Sequence, residues 1–482
     1  MRPPADVDAR EPEWAELASF AAGGRPHATL GLVSGRRRMG KSTLLRALCR
    51  ETGGFYFAVP RCSYQAFLAE VTAAIGRFTA SPPPTVTSLP QAFEALLDLG
   101  RGREIPVVVD GLDQVEAPLA ELTGAVTAAF AGDAPGASRA RLILAGPAVS
   151  SEQRPLLRDR AFRDLAVLDL RLEGHDYRRM ASWWGIGDPA VALPLHAIVG
   201  GTPVHRDWVA EPPSGPGDFG PFTRRTVLHV GHPLFDAARR TLRDEPGPSD
   251  IGYYRAIPFH VAFGVTRLDL IAARMQHPPE KLRRHLAVLT ATGLLERSPD
   301  LLEAGRIHYR VGEPLFNFFV GMMRVDMGRI QRGYILEYLW KYRADRWSDF
   351  VLKPHFAHVC RTWAKRYAPS DLFEGRPARV GTGTLRDPDR TSLQTVDLVA
   401  LDESDPERPE LAALGLTAWD RPMEMSDLAR MQRFRDLLAA AGHRGTDRTR
   451  LLCFGGTGFS PELEKAASRG EVRLVEAAEL YS

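Results

Sequence analysis

The stretch Gly35-Arg36-Arg37-Arg38-Met39-Gly40-Lys41-Ser42 decides how this chain is read. It fits the pattern G-x-x-x-x-G-K-[ST]. Before it lies a short apolar run, Thr29-Leu30-Gly31-Leu32-Val33, suited to a buried strand; after it, STLLRALCRETG has helical spacing. The glycines permit a tight loop whose N–H groups surround phosphate oxygens. The N-terminus of the following helix adds partial positive charge. The expected nucleotide-binding set is Gly35, Arg36, Arg37, Arg38, Met39, Gly40, Lys41, Ser42 and Thr43. Lys41 is expected to reach the β- and γ-phosphates, and Ser42 to ligate a metal, so the implied ligands are ATP and Mg2+.

Working outward, Ile105-Pro106-Val107-Val108-Val109-Asp110 reads as a buried strand ending in an acid. Asp110 is the expected partner of Ser42 at Mg2+. In many hydrolysing proteins of this type the next residue is a Glu that polarises the attacking water. Here it is Gly111. Asp113 and Glu116 stand close enough to substitute at a different spacing, and Asp113 also reads as a helix cap. Further strands are expected at Phe55-Tyr56-Phe57-Ala58-Val59 and Arg141-Leu142-Ile143-Leu144-Ala145-Gly146, with helical stretches between. Such alternation predicts an α/β domain with a doubly wound parallel sheet.

The chain has 482 residues, too many for one compact core, and 44% apolar with 25% charged residues is ordinary for a globular protein. The net charge of +3 neither demands nor excludes a nucleic-acid partner. Four scattered cysteines form no CxxC pair and read as reduced thiols of a cytoplasmic protein. No apolar run is long enough for a membrane span, and MRPPADVDAREPEW does not read as a signal peptide. A Pro/Gly-rich linker, EPPSGPGDFGPF, ends the first region. Beyond it come LDLIAARM, EKLRRHLAVLTATGLLERS and RIHYRVGEP, the pattern of two helices and a short β-ribbon. A third region has the long amphipathic helix FVLKPHFAHVCRTWAKRY and strand-like LQTVDLVALD, LAALGLTAW and RLLCFGG.

Taken together, these segments resemble the archaeal-type P-loop ATPases, a branch near the AAA and STAND proteins. GRRRMGKSTLL resembles that family's loop, LILAGPAVSSEQ its sensor strand, and PLLRDR its PLYGR segment, which puts Arg160 at the family's Arg. HAIVGGTPVH resembles its GGxPxYL motif at Gly200, Gly201 and Pro203. HYRVGEPLFNFFVGMMR resembles the end of its winged helix. The remainder resembles a domain related to PD-(D/E)XK nucleases. The resemblance implies a P-loop NTPase domain over 1–170, a small helical lid over 171–222, a winged helix-turn-helix over 223–330 and a restriction-endonuclease-like α/β domain over 331–482.

The departures from the family carry information. The sensor position often held by Ser or Thr is Pro147. In the nuclease-like region Gln394 and Asp397 are kept, but the metal-binding Glu is replaced by Leu416 and the Lys by Ala418. Two-metal cleavage needs clustered carboxylates, so nuclease activity is expected to be lost and the domain retained as a structural or binding module. Asp397 is also readable as a strand-end acid.

Within the helix EKLRRHLAVLTATGLLER, the residues Lys281, Arg283, Arg284 and Arg297, with His285, form a candidate DNA contact or a merely solvated face. Arg36, Arg37 and Arg38 suit nucleotide or neighbouring-subunit contacts better than DNA. Arg160 reads either as an arginine finger reaching a second subunit of a homo-oligomer or as the internal partner of Asp159 or Asp164. Trp183 and Trp184 read as core of the helical lid rather than a base-stacking platform, His205 as a structural histidine or a neighbour of the adenine or sensor region, and Phe316, Phe318 and Phe319 as winged-helix core. Three functions follow: a nucleotide-dependent switch whose C-terminal module meets a protein partner, a DNA-binding ATPase of a mobile-element or defence system, and an ATP-dependent nuclease. The missing Glu and Lys argue against the third.

Overall fold

The computed structural model describes residues 2–4, 7, 10–131, 138–147, 160–244, 250–333, 342–373, 378–389, 393–405 and 407–482. Its first unit is a five-stranded sheet of β1 (Thr29–Gly35), β2 (Phe55–Ala58), β3 (Glu104–Asp110), β4 (Arg139–Gly146) and β5 (Ala166–Leu172). Their spatial order is β2-β3-β4-β1-β5, and every pairing is parallel. Parallel sheets are covered on both faces, and β1 is buried along its whole length. The period of two divides its neighbours cleanly. Val107, Val109, Leu142 and Leu144 feed one core, while Val108, Ile143 and Ala145 feed the other, which packs on α1 (Glu11–Ala21) and α2 (Lys41–Thr52). The carboxyl ends of β1, β3 and β4 come together: Asp110 pairs with Ala145, and Ser34 with Gly146.

A helical region follows, beginning with Tyr177–Trp184, Pro189–Val199 and Pro203–Asp207. Then Ile251–Ala262, Leu268–Met275 and Pro279–Ala291 lead into an antiparallel ribbon, Leu295–Pro299 with Ile307–Val311. We call these the helix–ribbon unit. The first of its helices was not expected from the sequence. The last is shorter than expected: it ends at Ala291, and Gly293, at φ +74°, turns the chain into the ribbon. Arg297 therefore lies on a strand and not on the helix that carries Lys281, Arg283 and Arg284.

The C-terminal unit is a mixed sheet in the order Ala378–Arg386, Leu393–Asp402, Glu410–Ala418, Arg450–Gly455, Arg473–Glu476. The first three strands pair antiparallel and the last three parallel. One face carries the helix Lys353–Arg366 and the other Met425–Ala440. The core does not divide at residue 330. Tyr177, Leu195, Phe235, Phe318, Trp363 and Phe454 belong to one continuous apolar cluster that joins the helical region to this sheet. Phe316 instead enters the core of the helix–ribbon unit, so Phe316 and Phe318, two residues apart, serve different cores.

The ribbon is also tied to the sheet. Asp300, at its tip, accepts hydrogen bonds from Thr384 N and Oγ1, from Leu302 N and Glu303 N, and faces His308 Nε2 at 3.0 Å. Leu301 N donates to Thr382 O at 3.0 Å. These bonds hold the Asp300 carboxyl at about 2, although burial acts against them. Among the described residues, no helix is long and apolar enough to cross a membrane.

Candidate nucleotide site

The loop 35–42 leaves the carboxyl end of β1 and enters α2. Gly40, at φ +85°, caps that helix. Gly35, at φ +156°, lies so close to β5 that an added Cβ would stand 2.5 Å from Leu172 O. Both glycines thus answer to backbone geometry. Lys41 is buried, and its Nζ donates to the carbonyls of Gly35 (2.8 Å) and Arg36 (2.7 Å). The ammonium is folded into the concavity of its own loop.

Ser42 Oγ donates to Asp110 Oδ2 at 2.6 Å. The same oxygen accepts from Tyr56 Oη at 2.7 Å, a partner that sequence reasoning missed. The neighbouring strands β2 and β3 place Tyr56 there, and only their pairing could have revealed it. Burial, followed by the bond to Asp110, pushes the Tyr56 phenol up to about 12. Ser42 and Asp110 are hard oxygen donors, the chemistry Mg2+ prefers when phosphates and water complete its shell. Among the described residues, no three His, Cys, Asp or Glu side chains form a metal-holding group.

Gly111 has φ +97°, so a Glu in its place would sit in the left-handed region. Asp113 is not a helix cap. It lies inside the short turn Leu112–Gln114, 9% exposed, with Oδ2 bonded by Gln114 Nε2 and Oδ1 buried without a hydrogen-bond partner. Desolvation raises its carboxyl above the usual range, opposed by the Gln114 bond and by the charges of Arg37 and Lys41. Glu116 is instead exposed beside Arg61.

The arginine triplet points elsewhere than expected. Arg36 forms an ion pair with Glu313 and donates to Thr202 Oγ1 at 3.3 Å. Arg38, held at φ +68°, stacks over the Trp208 ring at 5.3 Å. Met39 is 1% exposed, and its carbonyl accepts from Arg10 Nη2. The side chains of Arg36 and Arg38 thus serve contacts within the chain. Arg37 and Thr43 are exposed.

Arg160 begins a short helix, is 93% exposed at its side chain and pairs with Asp164 at 3.3 Å. Such an exposed pair is worth about 0–1 kcal/mol and does not fix the guanidinium. Asp159 and most of the sensor and PLLRDR segments lie outside the described residues; Pro147 closes the described part of β4's exit. His205 is buried against Val199 O, and its imidazole is pushed down to about 4 by burial. Trp183 and Trp184 are half-buried, Trp183 between His175 and the Arg206 guanidinium.

Lys281, Arg283, Arg284 and Arg297 are all exposed. His285 is buried and stacks on Tyr253. In the C-terminal unit, Asp397 lies mid-strand and not at a strand end. Thr417 donates to its carboxylate from N (2.9 Å) and Oγ1 (3.1 Å), and burial raises its carboxyl. It lines a cavity of about 400 Å³ with Lys353, Phe356, Ala418, Trp419 and Asp420. Leu416 is buried in the core beneath Met425–Ala440 and does not line that cavity.

No protein-family model matches this sequence, and no curated protein aligns with it significantly. Among solved structures it is similar to a Walker-type ATPase of Pyrococcus abyssi, with 19% identity over 66% of this chain and 98% of that one, at a TM-score of 0.49. It is also similar to the ORC2 protein of Aeropyrum pernix, with 14% identity over 69% and 96% of the two chains and a TM-score of 0.38. Cdc6p from Pyrobaculum aerophilum gives 14% identity, 69% and 97% coverage, and a TM-score of 0.32. None of the three reaches a TM-score of 0.5, so the site is read from the chain's own residues.

Proposed function

We propose that this chain is a nucleotide-dependent switch that binds ATP with Mg2+ at the loop 35–42 and hydrolyses it slowly. The observation that carries the reading is the 2.6 Å contact between Ser42 Oγ and Asp110 Oδ2 at the carboxyl edge of the parallel sheet. It joins the loop to the acid that ends β3, at the edge where open α/β sheets bind ligands. Lys41, whose ammonium lies in the concavity of the loop, is the group for the β- and γ-phosphates. Ser42 and Asp110 would hold Mg2+, which would offset charge on the phosphate oxygens. Asp113 is the carboxylate we assign to the attacking water as general base: it is buried, one of its oxygens has no hydrogen-bond partner, and burial raises its carboxyl above the usual range. Arg160 remains a candidate for contact with a second subunit. The C-terminal unit acts as a structural or protein-binding module without nuclease activity.

The test is metal dependence. Asp110→Asn should weaken Mg2+-dependent ATP binding by about tenfold or more while leaving metal-free binding little changed, since only the metal contact loses its charge. Equal Mg2+ dependence in the variant and the parent would overturn the assignment of Asp110.

A second reading, DNA binding, is favoured by one observation: Lys281, Arg283 and Arg284 are exposed on one helix whose other face is buried, with exposed Arg297 on the adjacent ribbon. Exposed cations of this kind suit phosphate contacts.

A further inference from the structure

Both glycines in the segment HAIVGGTPVH are required by what approaches them. Gly201 admits the backbone of His175, whose carbonyl would stand 1.8 Å from an added Cβ. Gly200, at φ +73°, admits the carboxylate of Glu313, with Oε1 only 2.6 Å from an added Cβ. Glu313 lies two residues past the ribbon of the helix–ribbon unit and is 4% exposed. Its Oε2 takes the ion pair from Arg36 and a hydrogen bond from Thr202 Oγ1 at 3.3 Å, while its Oε1 is buried without a hydrogen-bond partner. Arg36 also passes the end of the Pro279–Ala291 helix, its Cδ 3.7 Å from the place of a Cβ on Gly293.

One residue of the phosphate loop is therefore the bolt between that loop and the helix–ribbon unit. Buried carboxylates are normally satisfied at both oxygens, so a half-satisfied Glu313 is held chiefly by the Arg36 guanidinium. The backbone of the same residue is engaged on the other side, because Lys41 Nζ sits on the Arg36 carbonyl. A polyphosphate in the loop acts on both ends. It draws Lys41 from the Arg36 carbonyl, and its negative charge competes with Glu313 for the guanidinium. Glu313 in turn repels the incoming phosphates.

We propose that Arg36, Thr202 and Glu313 form an electrostatic latch that holds the helix–ribbon unit against the phosphate loop and is released by nucleotide. The proposal rests on the nucleotide-site reading above and names its regulation. Linkage makes the coupling reciprocal: a latch that nucleotide opens must also weaken nucleotide binding.

The experiment uses the full chain with Glu313→Gln, which keeps shape and removes charge, and Thr202→Val as a milder companion. Spin labels at Glu70→Cys and Glu280→Cys, both exposed, in a Cys62→Ser background report the distance between the sheet unit and the helix–ribbon unit. Affinity is read with a fluorescent mant-ATP and Mg2+. In the parent, mant-ATP should shift the distance distribution. Glu313→Gln should show the shifted distribution without nucleotide and bind mant-ATP about fivefold tighter or more. Thr202→Val should move both readouts the same way by less, and Arg36→Gln combined with Glu313→Gln should add nothing to the distance change. Unchanged distance in folded Glu313→Gln and Thr202→Val, or weaker mant-ATP binding by both, overturns the latch. If the parent binds no mant-ATP, the nucleotide reading falls, and the nucleotide-free distance in Glu313→Gln still decides the latch.

Discussion

At the scale of single residues, the site turns on which acid stands where. Gly111 follows Asp110 at a backbone conformation that a Glu enters only at a cost of about 1–2 kcal/mol. Gly111→Glu should therefore lower the thermal midpoint without raising ATP turnover; faster turnover at unchanged stability would show that the position tolerates the usual acid. Asp113 supplies a carboxylate three residues on. Asp113→Asn should reduce ATP turnover by about 10²-fold or more, typical of losing a general base, while mant-ATP affinity stays within about twofold. Turnover equal to the parent's would return Asp113 to a purely structural role. From sequence alone Asp113 was readable as a cap or as an acid. Its place inside the turn, its burial and its orphaned oxygen are not visible in a string of letters. Arg36 and Arg38 show the same limit: their spacing marks a phosphate loop, but their partners Glu313 and Trp208 lie far along the chain.

At the scale of elements, local signals did most of the work. β1, its loop and α2 were legible because apolar run, glycine pair and helical spacing follow without interruption, and β3 because its run stops on Asp110. The ribbon was half legible. LLERS continues a helical pattern, and Gly293 ends the helix through a positive φ that a glycine only permits. The contact between ribbon and C-terminal sheet was not legible at all, since Asp300 and Thr384 meet only in three dimensions. Asp300→Asn keeps the volume but loses acceptor capacity in a buried site. It should weaken that contact by about 1–3 kcal/mol. Amide hydrogen exchange at Leu301 and Thr384 should quicken accordingly, and unchanged exchange would show that the carboxylate does not hold the ribbon. The exposed basic residues of this unit carry their own prediction. Replacing Arg283 and Arg284 by Gln should lower the salt slope of any duplex DNA binding by about 2 in log–log terms; an unchanged slope would place DNA elsewhere.

At the scale of the whole molecule, the units share cores and a buried imidazole cluster. His196, on Pro189–Val199, faces His355 at 2.9 Å between ring nitrogens, and His358 lies one turn further along the Lys353–Arg366 helix beside Arg310. Burial lowers all three, His196 to about 4, and the charges of Arg310 and Arg361 add to the effect at His358. Asp176 acts in the opposite direction on His196. The sign follows: these groups are neutral in the fold and protonate more readily when unfolded. Stability is full above about pH 6.5 and declines as pH falls from there toward 4. The thermal midpoint should thus drop between pH 7.5 and pH 5. The drop should shrink when His196 and His355 are both replaced by Leu. An identical drop in that variant would assign the acid sensitivity elsewhere. The sharing of cores was not legible in the sequence: Phe316 and Phe318 look alike in the chain and part company only in packing.

The switch requires that the loop 35–42 bind a nucleoside triphosphate through Lys41. Calorimetric titration of the full chain with ATP and Mg2+ tests it directly. The parent should bind saturably and one to one, and Lys41→Ala should show no measurable binding at the same concentrations. Absence of binding in the folded parent, or equal affinity in Lys41→Ala, would contradict it.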